Sequence, residues 1–500
     1  MEANPLEIAA PGAKSGGLPT LLGAFLLGFA LVAVATLPAA RRLISYDDLA
    51  HLHLYAKANQ GRSAAEILRL PHWQDRDIAP QWRPLPKLLW SRTPIERGGD
   101  AVRPWFLTVL LAGACSAGFA GVLRRRSMAP GALLLCALPL LHGVASDVVL
   151  PFVGQSDLIA AVGVLIAWGA LARGGAAGMA LGAVAFAVAV LAKESAFPAI
   201  AAVPFAIYFG AGGQRLRRRR ALAAFAVLAV VLALRFAGES AVFGSIGAAP
   251  QGASRGFVEG ERRVGAAELA GRYAAALAIP RATLVDYTFL KQPGVGAGMY
   301  PLVGALALAG AAASTAFALR RTTASKACAR ALRLRRDIVL GVGWAVLFLL
   351  PYGHPLIAAS SVWSGRFAFI SLFGVAWVAA ALMDFQRPSA RGARAVLGCL
   401  ATVLLAGMFL RAGEYRAPKL LWSAEARREP RSAVAWKNLA GALQRDGDLP
   451  GALDAAKRSA ELWPANPGMW RGLATIAAAA GNRGEQERAA AKLAELGVAP

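Results

Sequence analysis

The chain has 500 residues, of which 57% are hydrophobic and 17% charged, and its mean hydropathy of +0.48 excludes an ordinary soluble globular protein. A net charge of +25 does not point to nucleic acid, because the arginine clusters are short and sit between apolar runs, where a membrane protein keeps its positive loops. The cysteines Cys115, Cys136, Cys328 and Cys399 have no metal-type spacing and three fall inside apolar runs, which argues against a zinc site or a disulfide framework.

About eleven apolar runs follow in chain order, most of them long enough for a hydrocarbon core of roughly 30 Å at about 1.5 Å per helical residue. They cover 18–40, 104–123, 128–144, 148–171, 174–192, 195–213, 221–237, 294–319, 338–353, 367–383 and 395–410. The first is longer than a signal-peptide core and has no small-x-small cleavage site before Arg41, so it reads as a retained anchor. Loops after the even-numbered runs hold Arg124 to Arg126, Arg173, Arg215 with Arg217 to Arg220, Arg320 to Arg336, and Arg387 to Arg394. The positive-inside rule places them, and the N-terminus, in the cytoplasm. The long loops 41–103 and 238–293 and everything after Leu410 then fall on the non-cytoplasmic side.

From about Arg411 the composition turns soluble and repeats itself. Trp436 aligns with Trp470, Leu439 with Leu473, Ala440 with Ala474, Gly447 with Gly481 and Pro430 with Pro464, each 34 positions apart, the tetratricopeptide period. Two such units are fewer than the three or so that stand alone, so they are expected to lean on the membrane domain or a partner. An ordinary helical hairpin that recruits nothing is the plainer alternative. The fold class is therefore all-α: a multi-span transmembrane helical bundle over 1–410 with a tetratricopeptide-like repeat region over 411–500.

Polar residues cluster where the topology turns outward. Asp47 and Asp48 adjoin the first run, where mutual repulsion raises their pKa and suits one of them to act as a general base; pairing with Arg41 and Arg42 is the structural alternative. Trp82-Arg83-Pro84-Leu85 sets a guanidinium beside an interfacial aromatic, a pattern suited to phosphate recognition or to simple anchoring. Asp147 and Asp157 flank a tight turn and Lys193-Glu194 interrupts two apolar runs; both arrangements are costly unless they face a cavity or an internal ion pair. Asp286-Tyr287 and Gly365-Arg366-Phe367 complete the set, while His354 reads as a loop histidine. All share one compartment under this topology, which makes an outward cavity with carboxylates and cations a candidate active site.

In this order the segments resemble the transmembrane and tetratricopeptide-repeat mannosyltransferases and their bacterial relatives, type C glycosyltransferases. The likeness is carried by Tyr46-Asp47-Asp48, Trp82-Arg83-Pro84-Leu85, Val153-Gly154-Gln155-Ser156-Asp157-Leu158, Leu191-Ala192-Lys193-Glu194, Pro280 to Asp286-Tyr287, and Gly365-Arg366-Phe367-Ala368-Phe369. The chain departs from the pattern at Gln155, where Arg is commoner, and at 365–369, where a Glu-Arg-Tyr-x-Tyr run is usual. The resemblance implies inverting transfer of a sugar from a polyprenyl-phosphate donor to a protein or glycan hydroxyl on the non-cytoplasmic face of a bacterial inner membrane. It implies Asp47 or Asp48 as base and substrate contacts from Arg83, Asp157, Lys193, Glu194, Asp286 and Arg366; some type C enzymes use a metal, but the exterior carboxylates here have no ligand spacing, so no cofactor or metal is expected. Partners would be the lipid-linked donor, the acceptor and membrane lipid, with no nucleic acid. A lipid-linked oligosaccharide polymerase or ligase, a transporter, and a non-enzymatic membrane-anchored repeat scaffold for envelope proteins are the competing readings.

Overall fold

The computed structural model describes residues 18–41, 56–70, 82–92, 101–123, 132–209, 213–243, 262, 264–279, 283–285, 287–292, 294–319, 326–350, 364–386 and 390–498. Among these, every regular element is helical. The chain begins with α1 (Leu18–Thr36), then the short α2 (Ala56–Ala58), α3 (Ala64–Leu68) and α4 (Pro84–Arg92). Ser63 and Glu66 form a capping box that fixes the start of α3. Next come α5 (Val102–Leu123), α6 (Ala132–Leu141), the single turn α7 (Ser146–Val149), α8 (Gln155–Arg173) and α9 (Gly175–Ala192). They are followed by α10 (Ala199–Tyr208), α11 (Gln214–Phe243), α12 (Ala266–Ala278), α13 (Tyr300–Leu319), α14 (Lys326–Leu349), α15 (Ser371–Gln386) and α16 (Ala390–Glu414).

Among the described residues, six helical stretches are long and apolar enough to cross a membrane: Leu18–Ala39, Val102–Leu123, Phe152–Arg173, Gly175–Ala192, Gln214–Val242 and Arg394–Glu414. Shorter apolar helices cover Glu194–Tyr208, Tyr300–Ala313 and Ser371–Phe385. Among the described residues, the run expected at 128–144 holds α6, which stops where the His142 ring accepts the Val144 N–H at 3.3 Å and opens a 3-10 turn. Conversely, α11 extends past the expected run at both ends, and α12 occupies what reads in the sequence as part of a long loop.

Hydrocarbon offers little hydrophobic drive between helices, so close approach of backbones and good packing must hold the bundle together. A Cβ placed on Gly163 of α8 would lie 2.5 Å from the Ala185 carbonyl of α9, so glycine sets that crossing. Gly174, at φ 73°, makes the left-handed turn that sends α9 back along α8. Trp168 of α8 stacks between Trp344 of α14 and Trp377 of α15, with ring centroids 4.4 and 5.0 Å apart, and so ties three helices together.

Beyond α16 lie α17 (Pro418–Arg428), α18 (Ala433–Arg445), α19 (Leu449–Leu462), α20 (Pro467–Ala479) and α21 (Arg483–Glu495). The 34-residue offset in the sequence recurs as geometry. Trp436 Nε1 donates to the Pro430 carbonyl at 3.0 Å, and Trp470 Nε1 donates to the Pro464 carbonyl at 2.8 Å. Side-chain N-caps fall at Ser432 and Asn466, then at Asp448 and Asn482, and Gly447 and Gly481 both adopt positive φ. These helices share their own core around Trp422, Leu439, Trp463, Trp470 and Leu473. The helix α16 runs through position 411 without a break, so membrane-type and repeat-type sequence join inside one helix.

A buried charged layer at one end of the bundle

Asp157 sits in the first turn of α8 and Lys193 caps the last turn of α9. Because these helices are antiparallel neighbours, both side chains reach the same end, and Lys193 Nζ donates to Asp157 Oδ2 at 2.5 Å. The pair is almost fully enclosed, at 6% and 2% side-chain exposure. Burial brings the Lys193 ammonium down to about 8, with Asp157 opposing and the charges of Arg366 and Arg83 adding to the fall.

The next residue, Glu194, opens a 3-10 turn and accepts from Arg83 Nε at 2.8 Å and Nη2 at 2.7 Å. This second pair is the more open one, at 12% and 30% exposure. Arg83 stands immediately before α4, whose Trp90 donates to the Gln155 side chain at 3.1 Å. Gln155 in turn donates to the Pro104 carbonyl at 2.8 Å and to Thr108 at 3.1 Å, so its amide knots α4, α5 and α8 together. Gln155, one of the two places where the chain departs from the pattern it resembles, thus links helices by hydrogen bonds in this structure.

Two arginines that run-length reasoning passed over belong to the same end. Arg235 of α11 pairs with Glu239 at 2.6 Å, donates to the Trp82 carbonyl at 2.6 Å, and lies over the Trp82 ring at 4.7 Å. Arg411 of α16 pairs with Glu414 at 2.5 Å and with Glu425 of α17 at 2.8 Å. Each is a guanidinium inside or at the edge of an apolar run, and the cost of placing charge there is the signal that marks such residues.

Asp147, on α7, completes the layer. Its Oδ2 accepts the Gly365 N–H at 3.1 Å, while the buried Oδ1 has no hydrogen-bond partner among the described residues. Burial pushes its carboxyl up to about 7; Glu425 adds to that rise, and Arg411 and Arg366 oppose it. Arg366, half-buried in the turn Gly365–Ala368, is thus electrostatically coupled to both Asp147 and Lys193.

Of the residues singled out from sequence, Arg83, Asp157, Lys193, Glu194 and Arg366 come together at one end. Asp47, Asp48 and Asp286 lie outside the described residues, as does His354. Among the described residues no three His, Cys, Asp or Glu side chains converge as a metal would require. Arg173 and Arg217 to Arg220 gather at the opposite end, where Arg220 Nη1 donates to the Ala172 carbonyl at 3.3 Å. Compared with models of protein families, with curated proteins and with solved structures, the chain matches none.

Proposed function

We propose that this protein is a membrane glycosyltransferase that moves a sugar from a polyprenyl-phosphate carrier to a hydroxyl acceptor on the non-cytoplasmic face. The observation that carries the reading is the gathering of Arg83, Lys193 and Arg366 with Asp157 and Glu194 in one layer at one end of an apolar bundle. A lipid phosphate enters such a layer from the surrounding bilayer, and its charge matches fixed cations in a low-dielectric setting. In this reading all eleven apolar runs cross the membrane, the arginine-rich end is cytoplasmic, and the two 34-residue units are tetratricopeptide repeats on the far side.

The chemistry follows from the layer's parts. Asp47 or Asp48 takes the proton of the acceptor hydroxyl, whose oxygen attacks the anomeric carbon as the bond from that carbon to the phosphate oxygen breaks, with inversion. Arg83, Lys193 and Arg366 receive the charge that develops on the departing lipid phosphate. Glu194 and Asp157 hold the first two of these cations in place. The Arg83–Glu194 pair, the more exposed of the two, marks the open edge through which the donor approaches.

The test is sugar transfer from a radiolabelled polyprenyl-phosphate sugar by the purified full chain in detergent, across a panel of sugars and peptide or glycan acceptors. Wild type is expected to transfer with or without a chelator, and the Asp47→Asn, Asp48→Asn double variant to lose at least about a hundredfold in kcat, the size of a lost general base. Equal turnover by the double variant would remove the assigned base. The repeated helical unit favours a second reading, a membrane-anchored scaffold for envelope proteins. That reading predicts no transfer at all and full function without both aspartates.

A further inference from the structure

The connection between α12 and α13 is gripped by the repeat region at two places. Near its start, Arg411 Nη2 donates to the Thr283 carbonyl at 3.0 Å and the Val285 N–H donates to Glu425 Oε2 at 2.7 Å. Arg411 and Glu425 are paired with each other and are 1% and 2% exposed. Near its end, the buried Gln292 donates to the carbonyls of Arg431 at 2.9 Å and Leu462 at 3.3 Å, and accepts the Ala433 N–H at 3.0 Å.

Thr283 faces the other way as well. Its hydroxyl lies 3.4 Å from Ser146 Oγ and donates to the Gly143 carbonyl at 3.4 Å, against the turn that carries Asp147. A Cβ built on Gly365 would stand 2.6 Å from Asp147 Oδ2 and 2.9 Å from Thr283 Oγ1, so all three groups are in close contact. The Gly365 N–H closes the chain of contacts on Asp147, and Arg366 is the next residue.

Buried ion pairs are strongly interdependent, since removing one partner leaves the other charge uncompensated. Without the Glu425 carboxylate, Arg411 keeps Glu414 as its one carboxylate partner among the described residues, and the Val285 N–H loses its acceptor. The segment 283–285 then loses the bond at Val285 and the support behind the Arg411–Thr283 bond, which loosens Thr283 at the Asp147–Gly365 contact.

We infer that the repeat region is a positioning part of the charged layer: the Glu425–Arg411 pair, acting through Thr283 and Asp147, sets the place of the Gly365–Arg366 turn. Glu425, Arg411, Thr283 and Asp147 are positioning residues, and Arg366 is the cation they place. The proposed transfer reaction gives this linkage its purpose, since an anionic ligand then meets a correctly placed Arg366 only while the repeats are docked.

Hydrogen exchange of the full chain in detergent tests the linkage without any sugar donor. Glu425→Gln is expected to speed exchange of the amides in 364–370 by about tenfold, the effect of freeing roughly one hydrogen bond. Glu425→Asp should restore part of the protection. Amides of 156–165 and 436–443 should be unchanged, showing that α8 and α18 remain folded. Unaltered exchange at 364–370 in Glu425→Gln, or acceleration that includes 156–165 to the same degree, overturns the inference. If Glu425→Gln fails to fold, Thr283→Ala decides: it leaves the ion pair intact and should still speed exchange at 364–370, and no change there overturns the linkage. Absence of sugar transfer would leave this result standing, and an unchanged exchange pattern would leave the transfer reading standing.

Discussion

Lys193→Met is expected to lower the stability of the folded protein by about 3–5 kcal/mol, because it strands the Asp157 carboxylate in the bundle. Asp157 is 2% exposed and Lys193 is the partner at 2.5 Å. The double variant Lys193→Met, Asp157→Asn removes both charges and keeps a side chain of similar size at each place. It should recover more than half of the loss, since a buried pair replaced as a unit is often close to neutral. Thermal unfolding in detergent, followed by tryptophan fluorescence, reads both. If the double variant falls as far as the single one, the ammonium is needed for contacts other than Asp157. Because Lys193 also belongs to the proposed phosphate site, the double variant is expected to fold yet bind donor poorly, which separates its structural role from its chemical one.

The second large effect is steric. A Cβ on Gly304 of α13 would meet the Ala267 carbonyl at 1.9 Å and the Gly271 nitrogen at 2.7 Å, and a Cβ on Gly271 of α12 would meet the Tyr300 carbonyl at 1.8 Å. These obstacles are backbone atoms, which cannot swing aside as a side chain can. Gly304→Leu therefore forces α12 off α13 at a cost of about 3 kcal/mol, the upper part of the range for overpacking. It also disturbs the contacts that α12 brings, in which Glu268 pairs with Arg262 at 2.5 Å and with Arg272 at 2.8 Å, and Arg272 lies over the Tyr300 ring at 4.2 Å. Gly310→Ala on the same helix is the control. A Cβ there has nothing within 4 Å, so the change should be neutral or stabilising by about 0.5–1 kcal/mol through helix propensity. Thermal unfolding of the two variants is expected to move in opposite directions, and a matching fall in both would show that α13 needs glycine for its own bending instead of for the crossing.

The sequence made the apolar runs legible because continuous hydrophobicity over a span is a strong local signal. The helix α9 lies almost where the run at 174–192 put it. The same criterion was blind to α12, because Glu268 and Arg272 interrupt its apolar residues at helical spacing and no unbroken run is long enough to span. It also missed that α6 would end at Leu141, since the stop comes from the His142 ring and the turn after it, a feature set by local hydrogen bonding. In the repeat region, the 34-residue offset was legible in the sequence, while the matching tryptophan hydrogen bonds it brings became visible only in the structure.

For the charged layer, sequence reasoning found the members that break an apolar run near a turn, such as Lys193 and Glu194. It did not find Arg235, which it absorbed into the end of the run 221–237, or Arg411, which it took as the start of the soluble region. Nor did it pair residues, because Arg83 and Glu194 are 111 positions apart and Arg411 meets Thr283 across 128. Such partners become visible only when the antiparallel helices bring their ends together. The alternative that Lys193 and Glu194 serve in internal ion pairs is met by the observed geometry, and those pairs are also what fixes the two cations where a phosphate would need them.

The most direct test of the account is equilibrium binding of a sugar-free polyprenyl phosphate to the purified full chain in detergent, with the matching polyprenol as the uncharged control and Arg83→Gln beside the wild type. The account predicts saturable binding that needs the phosphate and weakens about tenfold or more in Arg83→Gln, as expected for a lost charge-assisted hydrogen bond. Equal binding of phosphate and polyprenol, or binding that Arg83→Gln leaves unchanged, would contradict the assignment of the charged layer as a lipid-phosphate site.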